Sequence, residues 1–376
     1  MKKKVLSALL SAAMVATLLV GCGGSNQPAP ADTAAPADTQ EAAPADTQAA
    51  APAEGSMHFE IVSKGFQHQY WQAVYKGAQN KSKELGVTMN FVGPNSESDI
   101  ADQVQMLNNA INANPSAIGL AALDTSACLD AITAAQNAGI PIVGFDSGVP
   151  GAPEGAIVAN AATDNYAAGE LAAEEAYKLI EDKLAAGTRI GVLSQDATSE
   201  SIVNRGLGFV DKMAALVVDK GLTVNVEGNE KFVSDTKATK TEGADVVIEV
   251  LVPSQVTSEL SSIDCQTLLN KKDTICIYGS NQHSAEAMVT ANENIGRLGK
   301  DVVGVGFDSG AVIKAAVADG TLAGAITQAP VAMGEAVIDL LYKAANGESV
   351  SDVDTGCQWF TAENMNNEEI AQNLYD

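Results

Sequence analysis

Short apolar runs alternate with amphipathic stretches along most of the chain. Residues 59–63 predict a strand, residues 70–85 a helix, residues 87–92 a second strand and residues 98–114 a second helix. One stripe of that second helix repeats at helical spacing and so predicts its core face: Ile100, Val104, Leu107 and Ile111. Residues 117–121, 126–138 and 140–145 then predict strand, helix and strand. Continuous apolar strands between helices imply a parallel sheet covered on both faces.

A second series of the same kind follows. It predicts strands at residues 188–193, 222–226, 274–278, 302–307 and 322–327, and helices at residues 201–220 and 284–294. Two doubly wound, Rossmann-like α/β domains explain this length better than one very wide sheet. The pattern is weak between residues 228 and 272: residues 246–252 predict a strand, but residues 229–244 fit either a loop or an irregular insertion.

A pentapeptide, Gly-Phe-Asp-Ser-Gly, occurs at residues 144–148 and again at residues 306–310, each time after an apolar strand. Parallel α/β sheets place ligands at the carboxyl ends of their strands, so we expect Asp146 and Asp308 at such edges. If the two domains face each other, the aspartates would approach one small molecule from opposite sides. The alternative is that each aspartate caps the amino terminus of the helix that follows it.

The amino terminus predicts an export signal rather than part of the fold. Three lysines precede a mostly apolar stretch that is short for a membrane span and ends in Leu-Val-Gly-Cys at residues 19–22. This pattern is typical of a lipoprotein signal peptide, residues 1–21, with Cys22 as the lipid-accepting residue; the alternative is cleavage elsewhere with Cys22 incidental. Residues 22–56 are rich in Ala, Pro, Thr and acids and predict a solvated tether.

The charge balance narrows the possible functions. The 376 residues carry 47 acidic and 22 basic side chains, a formal charge of -25, which argues against nucleic acid as a partner. The 5 cysteines lack paired metal-site spacing, and with 3 histidines we expect neither a metal, a cofactor nor an enzyme active centre. Outside the cytoplasm disulfides can form, but we expect buried free thiols at Cys128, Cys265, Cys276 and Cys357.

Several side chains near predicted strand ends suit a ligand rich in hydroxyl groups. Carboxylates, amides and Arg exchange hydrogen bonds with hydroxyls, and aromatic rings cover apolar C–H faces. Tyr70 and Trp71 begin the first helix, and Arg205 lies in the helix after a polar turn. Asn281 and Gln328 each follow a strand. The alternatives are a core anchor for either ring, a surface position for Arg205 and turn formation for each amide.

Residues 57–361 resemble the type I periplasmic sugar-binding proteins, the ribose-binding group of ABC importers. The resemblance runs through residues 76–78 (Lys-Gly-Ala), 138–141 (Ala-Gly-Ile-Pro), 162–165 (Ala-Thr-Asp-Asn), 205–206 (Arg-Gly), 304–308 (Gly-Val-Gly-Phe-Asp) and 325–328 (Ala-Ile-Thr-Gln). It implies stacking roles for Tyr70 and Trp71, a sugar contact at His68, where an asparagine often stands, and polar ligand roles at Asp146, Arg205, Asn281, Asp308 and Gln328.

Two departures from the family pattern concern the ligand. Ser147 stands where the ribose binders have an arginine, so a strong donor is missing. Residues 228–272 leave the third stacking aromatic without a clear equivalent, with Phe232 as a weak candidate. The resemblance further implies three crossings between the domains, near Thr163, Gln328 and Gly356. One lobe would then comprise residues 57–163 plus 329–356, and the other residues 164–328 plus 357–376.

We therefore expect a monomeric lipoprotein outside the cytoplasm that closes its two domains around a monosaccharide or a similar polyol. It would deliver this ligand to an ABC permease with its ATPase subunits. The first alternative is a sensor lipoprotein that presents the ligand to a membrane receptor. The second is a secreted carbohydrate hydrolase with Asp146 and Asp308 as paired carboxylates. A repressor of related fold would need a DNA-binding amino terminus, where this chain has a signal and a tether.

Overall fold

The computed structural model describes residues 57–66 and 68–376, and the signal peptide, Cys22 and tether predicted from the sequence lie outside these residues. The elements in chain order are β1 (His58–Val62), α1 (Gln69–Leu85), β2 (Thr88–Val92), α2 (Ile100–Asn112), β3 (Ala117–Leu120), α3 (Leu129–Asn137), β4 (Ile142–Phe145), β5 (Ile157–Ala162), α4 (Asn165–Ile180), β6 (Thr188–Leu193), α5 (Glu200–Asp219), β7 (Val224–Gly228), α6 (Glu230–Asp235), β8 (Val246–Leu251), α7 (Ser258–Asn270), β9 (Thr274–Gly279), α8 (Gln282–Ile295), β10 (Val303–Phe307), α9 (Ala311–Ala318), β11 (Gly324–Gln328), α10 (Pro330–Ala345), β12 (Val353–Asp354), β13 (Cys357–Phe360) and α11 (Glu368–Ala371).

The strands form two sheets, each with helices on both faces. The first sheet is wholly parallel, in the order β2-β1-β3-β4-β5-β12. In β4, Val143 and Phe145 pack on the side of α1 and α10, and Ile142 packs on the side of α2 and α3. The strand is therefore buried on both faces, which explains its uninterrupted apolar sequence. We call this sheet with its four helices the first lobe.

The second sheet has the order β7-β8-β6-β9-β10-β11-β13, and only β13 runs antiparallel to its neighbour. Cys276 and Tyr278 of β9 pack with α4 and α5, whereas Ile277 packs with α7, α8 and α9. We call this unit the second lobe. The family fold predicted from the sequence, two doubly wound parallel-sheet domains, is confirmed.

Reciprocal glycines bring a helix pair into close contact in each lobe. A Cβ on Gly77 of α1 would lie 2.0 Å from the Val331 carbonyl oxygen, and one on Gly334 of α10 would lie 2.0 Å from the Val74 carbonyl oxygen. In the second lobe, Gly169 of α4 and Gly208 of α5 each face a carbonyl oxygen of the other helix at 2.1 Å. Only a residue without a side chain fits at such a crossing.

The stretch that the sequence pattern left open contains regular structure. The strand predicted at residues 246–252 is β8, which lies between β6 and β7. The preceding residues hold the short helix α6 and then irregular chain, and α7 follows β8. Phe232 of α6 is fully buried against α5, where its ring contacts Gly206. Its candidacy as a stacking residue for the ligand was wrong because apolar packing places the ring in the core.

Candidate functional site

The two pentapeptides fold into the same turn. Asp146 and Asp308 have φ angles of 58° and 70°, and only three non-glycine residues of the described chain have positive φ. The Asp146 N–H donates to the Ala161 carbonyl of β5, and the Asp308 N–H donates in the same way to Ile326 of β11. A left-handed backbone is costly for a residue with a side chain, and such strain is concentrated at functional sites.

Neither aspartate caps the helix after its own strand. The next element after Asp146 is a strand, and α9, the helix after Asp308, follows Gly310 without a side-chain hydrogen bond at its amino terminus. Asp308 instead accepts a hydrogen bond of 3.0 Å from the Gln282 N–H, at the start of the neighbouring helix α8. The capping alternative was therefore wrong for both residues, because each carboxylate bonds to groups on segments other than the one that follows it.

Asp146 is buried in a cationic and hydroxylic environment. The side chains of Asp146 and Lys64 are each 4% exposed, and Lys64 Nζ lies 3.0 Å from Oδ2 of Asp146. The Tyr70 hydroxyl donates to Oδ1 at 2.8 Å. Burial alone would lower the pKa of Lys64, but the carboxylates of Asp146, Glu97 and Asp196 outweigh burial and raise it. Lys64 is therefore a buried cation.

Asp308 is the corresponding centre of the second lobe. Gln328 Nε2 donates to its Oδ1 at 2.6 Å, and Arg205 Nη1 lies 4.0 Å from Oδ2. Burial raises the pKa of Asp308, and the charge of Asp146 raises it further, against the lowering effects of Arg205, Gln328 and Gln282. Asp308 is therefore a buried carboxylate whose pKa is set by burial and by the cation and amide groups around it.

Arg205 lies in the second lobe, beside Asp308. It is 2% exposed, so the surface alternative was wrong. Its Nε and Nη2 donate to Asn165 Oδ1, and its Nη1 donates to the Ser280 carbonyl at 3.1 Å. The guanidinium carbon lies 3.8 Å from the centre of the Phe307 ring, the position of a cation–π contact. These contacts fix the guanidinium beside Asp308.

Tyr70 and Trp71 both lie in the core of the first lobe at the start of α1. Their rings meet edge to face with centroids 5.0 Å apart, and Trp71 meets Phe145 in the same way. The Trp71 Nε1–H donates to Glu97 Oε1 at 2.9 Å. Tyr70 therefore joins the Asp146 side of the site, while Trp71 is held in place by a buried carboxylate.

The remaining predicted residues surround this centre. His68 Nε2 lies 3.9 Å from Glu97 Oε1, and Ser147 Oγ accepts from the Ser201 N–H at 3.1 Å. Asn281 caps α8 by accepting a hydrogen bond from the Ser284 N–H, which agrees with the alternative that this amide forms a turn. Its amide nitrogen also donates to Gln195 Oε1 at 2.6 Å.

Sequence reasoning missed Lys64, Glu97, Gln195 and Tyr375 as members of this cluster. Glu97 lies after β2 and accepts from Gln195 Nε2 of the opposite lobe at 3.0 Å. Lys64 follows β1 and Gln195 follows β6. Lys64, Glu97 and Gln195 each follow the carboxyl end of a parallel strand, as Asp146 and Asp308 do. The expectation that ligand-binding side chains lie at such strand ends could therefore have identified all three from the sequence.

The two lobes contact each other directly around this cluster. Besides the bond from Gln195 to Glu97, the hydrogen bonds that cross between them include Lys64 Nζ to Ser201 Oγ (3.1 Å), the Ser201 N–H to Ser147 Oγ (3.1 Å), the Tyr70 N–H to Gln282 Oε1 (3.2 Å), the Ala311 N–H to Gln69 Oε1 (3.0 Å) and Thr198 Oγ1 to the Leu123 carbonyl (3.0 Å). Donors and acceptors from the two lobes are therefore paired directly with each other around the buried cluster.

The remaining expectations from the sequence concern the cysteines, a membrane span and a metal site. Cys128, Cys265 and Cys276 are buried thiols, Cys357 is half-buried, and these four are unpaired. Within residues 57–66 and 68–376 no helix is long and apolar enough to span a membrane. The same residues contain no group of His, Cys, Asp and Glu side chains suited to a metal ion.

Two α/β lobes with a polar cluster buried between them define the class of two-lobed binding proteins. Residues 59–349 match the model of the periplasmic binding protein domain, and the chain belongs to this family. Its members are extracytoplasmic and not enzymes, as the sequence predicted.

Individual relatives and solved structures agree with this assignment. The chain is 25% identical to the ribose import binding protein of Bacillus subtilis over 282 residues, 73% of this chain and 78% of that protein. It is 25% identical to the D-allose-binding periplasmic protein of Escherichia coli over 303 residues, 79% of this chain and 87% of that protein. A solute-binding protein of an ABC transporter from Agrobacterium vitis, solved with bound D-fucose, is 31% identical with a TM-score of 0.71, covering 85% of this chain and 100% of its own.

Proposed function

We propose that this protein captures a monosaccharide, or a similar small polyhydroxylated ligand, between its two lobes and delivers it to an ABC transporter permease. The observation that carries the proposal is the matched pair of left-handed turns, which places a buried aspartate, Asp146 or Asp308, after a strand in each lobe. Names of the relatives support the ligand class, since they include ribose, allose and D-fucose.

The chemistry around the aspartates fits a neutral sugar. Carboxylates accept hydrogen bonds from hydroxyls, while Lys64 and Arg205 can donate to hydroxyl and ring oxygens. The sequence lacks the arginine of the ribose binders at Ser147, and we propose that Lys64 supplies a cationic donor on the Asp146 side instead. Tyr70, also bonded to Asp146, offers an aromatic ring beside the same carboxylate.

Closure provides the mechanism of capture. The lobe boundaries proposed from the sequence put the crossings near Thr163, Gln328 and Gly356, and Thr163 Oγ1 donates to Gln328 Oε1 at 2.9 Å. In the open form the interlobe hydrogen bonds are replaced by water. A ligand that touches both aspartates stabilises the closed form because it adds contacts that the open form cannot make. A permease would recognise the closed shape rather than the sugar itself.

A sugar panel tests the proposal. Calorimetry and thermal shift with D-ribose, D-allose, D-arabinose, D-fucose and D-galactose should show saturable binding and a raised unfolding midpoint for at least one. Asp308→Asn should weaken that binding about tenfold or more, as loss of a charge-assisted bond predicts. Lys212→Met, on an ion pair at the surface, is the control and should bind normally. No binding to any of the five sugars would contradict the proposal.

We further propose that the mature chain is anchored to the outer side of the cell membrane through a lipid on Cys22. The support is the signal pattern of residues 1–21 and the position of the cysteine directly after it. Cys22→Ser should move the protein from the membrane fraction to the soluble fraction in detergent-free buffer. Unchanged fractionation would refute the anchor and leave the sugar proposal intact.

A further inference from the structure

Residues 361–376, which follow β13 and include α11, lie along the second lobe, and we call them the tail. Asn373 Nδ2 donates to Gln358 Oε1 at 2.9 Å, and Thr327 Oγ1 donates to the Asn373 carbonyl at 3.0 Å. The apolar side chains of the tail that pack against the cluster of α7, α8 and α9 are Met365, Ile370 and Leu374. The tail is therefore a part of the second lobe, and the family match, which covers residues 59–349, does not include it.

The polar groups of Tyr375 are bonded to the second Gly-Phe-Asp-Ser-Gly turn. Its N–H donates to Ser309 Oγ at 3.1 Å, and its carbonyl accepts from the Gly310 N–H at 3.0 Å. Its hydroxyl accepts from the Ser309 N–H at 3.4 Å. Backbone and hydroxyl are thus held by the same two residues, so the second lobe sets the position of the Tyr375 ring.

The ring itself packs against the first lobe. It belongs to the apolar cluster of α1 and α10, and its centroid lies 6.2 Å from that of the Tyr70 ring in an edge-to-face contact. Tyr375 is 9% exposed, and this burial raises the pKa of its hydroxyl well above the usual value, with a further rise from the charge of Asp308. One neutral ring that is anchored on the second lobe is therefore buried against the first.

The hydrogen bonds between the lobes beside this ring respond differently to separation. The Tyr70 N–H donates to Gln282 Oε1, and the Ala311 N–H donates to Gln69 Oε1. When the lobes separate, water can replace each partner of such a bond, so the net contribution of the bond is small. Separation would instead expose the apolar surface of the Tyr375 ring and the surface that it covers, which is unfavourable. The ring contact therefore favours the arrangement in which the lobes touch.

We propose that Tyr375 is an interlobe latch: the tail fixes its ring to the second lobe, and the contact of the ring with the first lobe stabilises the closed arrangement. This proposal rests on the proposed function, in which closure retains the ligand. The latch acts through the position of the lobes and not through contact with the ligand. Its removal should therefore weaken the binding of every sugar by one common factor.

Calorimetry with the five sugars named above, together with small-angle X-ray scattering of the sugar-free protein, tests the latch. Tyr375→Ala should raise the dissociation constant of each bound sugar by the same factor, about fivefold or more, because it removes a buried aromatic contact. The sugar-free variant should also have a larger radius of gyration than the wild type. Tyr375→Phe keeps the ring and should bind like the wild type.

Tyr342→Ala is the matched control. Tyr342 of α10 is a half-buried tyrosine that packs against the same apolar cluster but lies within the first lobe. Its substitution should lower the midpoint of urea unfolding and leave the dissociation constants unchanged, because no interlobe contact is lost. Circular dichroism of each variant establishes that the protein tested is folded.

The outcomes separate this proposal from the proposed function. Unchanged dissociation constants in Tyr375→Ala overturn the latch, and so does a loss that differs between sugars, which would indicate direct contact with the ligand. An equal loss of affinity in Tyr342→Ala also overturns it, because general loosening of the first lobe would then explain the effect. Failure of the wild type to bind any of the five sugars contradicts the proposed function. In that case a radius of gyration of Tyr375→Ala equal to that of the wild type overturns the latch as well, and a larger one supports it.

Discussion

Lys64→Met is the sharpest test of the electrostatics inside the interlobe cluster. Lys64 and Asp146 are 4% exposed and 3.0 Å apart, and Lys64 Nζ also donates to Ser201 Oγ of the second lobe. Methionine keeps the length and apolar character of the lysine stem but removes the charge. The substitution leaves the Asp146 carboxylate buried without its cation, while the Tyr70 hydroxyl stays on Oδ1.

The expected cost follows from the burial of both groups. Removal of one partner of a buried ion pair typically costs 3–5 kcal/mol because the remaining charge is desolvated and unpaired. The bond from Tyr70 to Asp146 survives, so we expect the lower end, about 3 kcal/mol of unfolding free energy. Lys64→Met/Asp146→Asn removes both charges and should recover about 2 kcal/mol relative to the sum of the two single losses.

Urea unfolding without sugar, followed by circular dichroism, measures these differences. The matched control is Lys212→Met, because Lys212 and Glu174 form an ion pair of 2.6 Å whose side chains are 31% and 43% exposed. This exposed pair should contribute about 1 kcal/mol or less. The reasoning is refuted if Lys64→Met costs no more than the control, or if the double variant loses the full sum of the single losses.

Two further predictions concern helix packing and acid sensitivity. Gly169→Ala should lower the free energy of unfolding by about 2 kcal/mol or more, because its Cβ would meet the Arg205 carbonyl oxygen at 2.1 Å and force α4 and α5 apart; urea unfolding measures this. His283 is buried, with Nε2 2.8 Å from Ser261 Oγ, and burial, helped by His68, lowers its pKa from 6.5 to about 4. A lowered pKa means stability that is present above pH 6.5 and is lost as the pH falls toward 4, about 3 kcal/mol in all. In His283→Gln this part of the acid loss should vanish, and equal pH profiles of variant and wild type would contradict it.

The periodic part of the sequence predicted the fold well. Strand β6 has the bounds predicted from its apolar run, and α5 and α8 lie within two residues of their predicted ends. Local patterning suffices there because a strand buried on both faces must be apolar throughout and a covering helix must show one apolar stripe. The residues around α6 show no such periodicity. Phe232 was misjudged as a stacking residue because the core residues against which its ring packs are remote in the sequence.

For the site as well, the sequence predicted the features that depend on neighbouring residues and missed those that depend on distant contacts. The sequence by itself determined the family, the duplicated Gly-Phe-Asp-Ser-Gly turns and the position of Asp146 and Asp308 at strand ends, since these depend on residues that are neighbours in the chain. Only the tertiary structure decided that Lys64 is the cation of Asp146, that Arg205 is buried on Phe307, and that Tyr375 of the tail lies between the lobes. The physical reason is that burial and pairing of a charge or a ring depend on which distant segments the folded chain brings against it, and no local pattern records that choice.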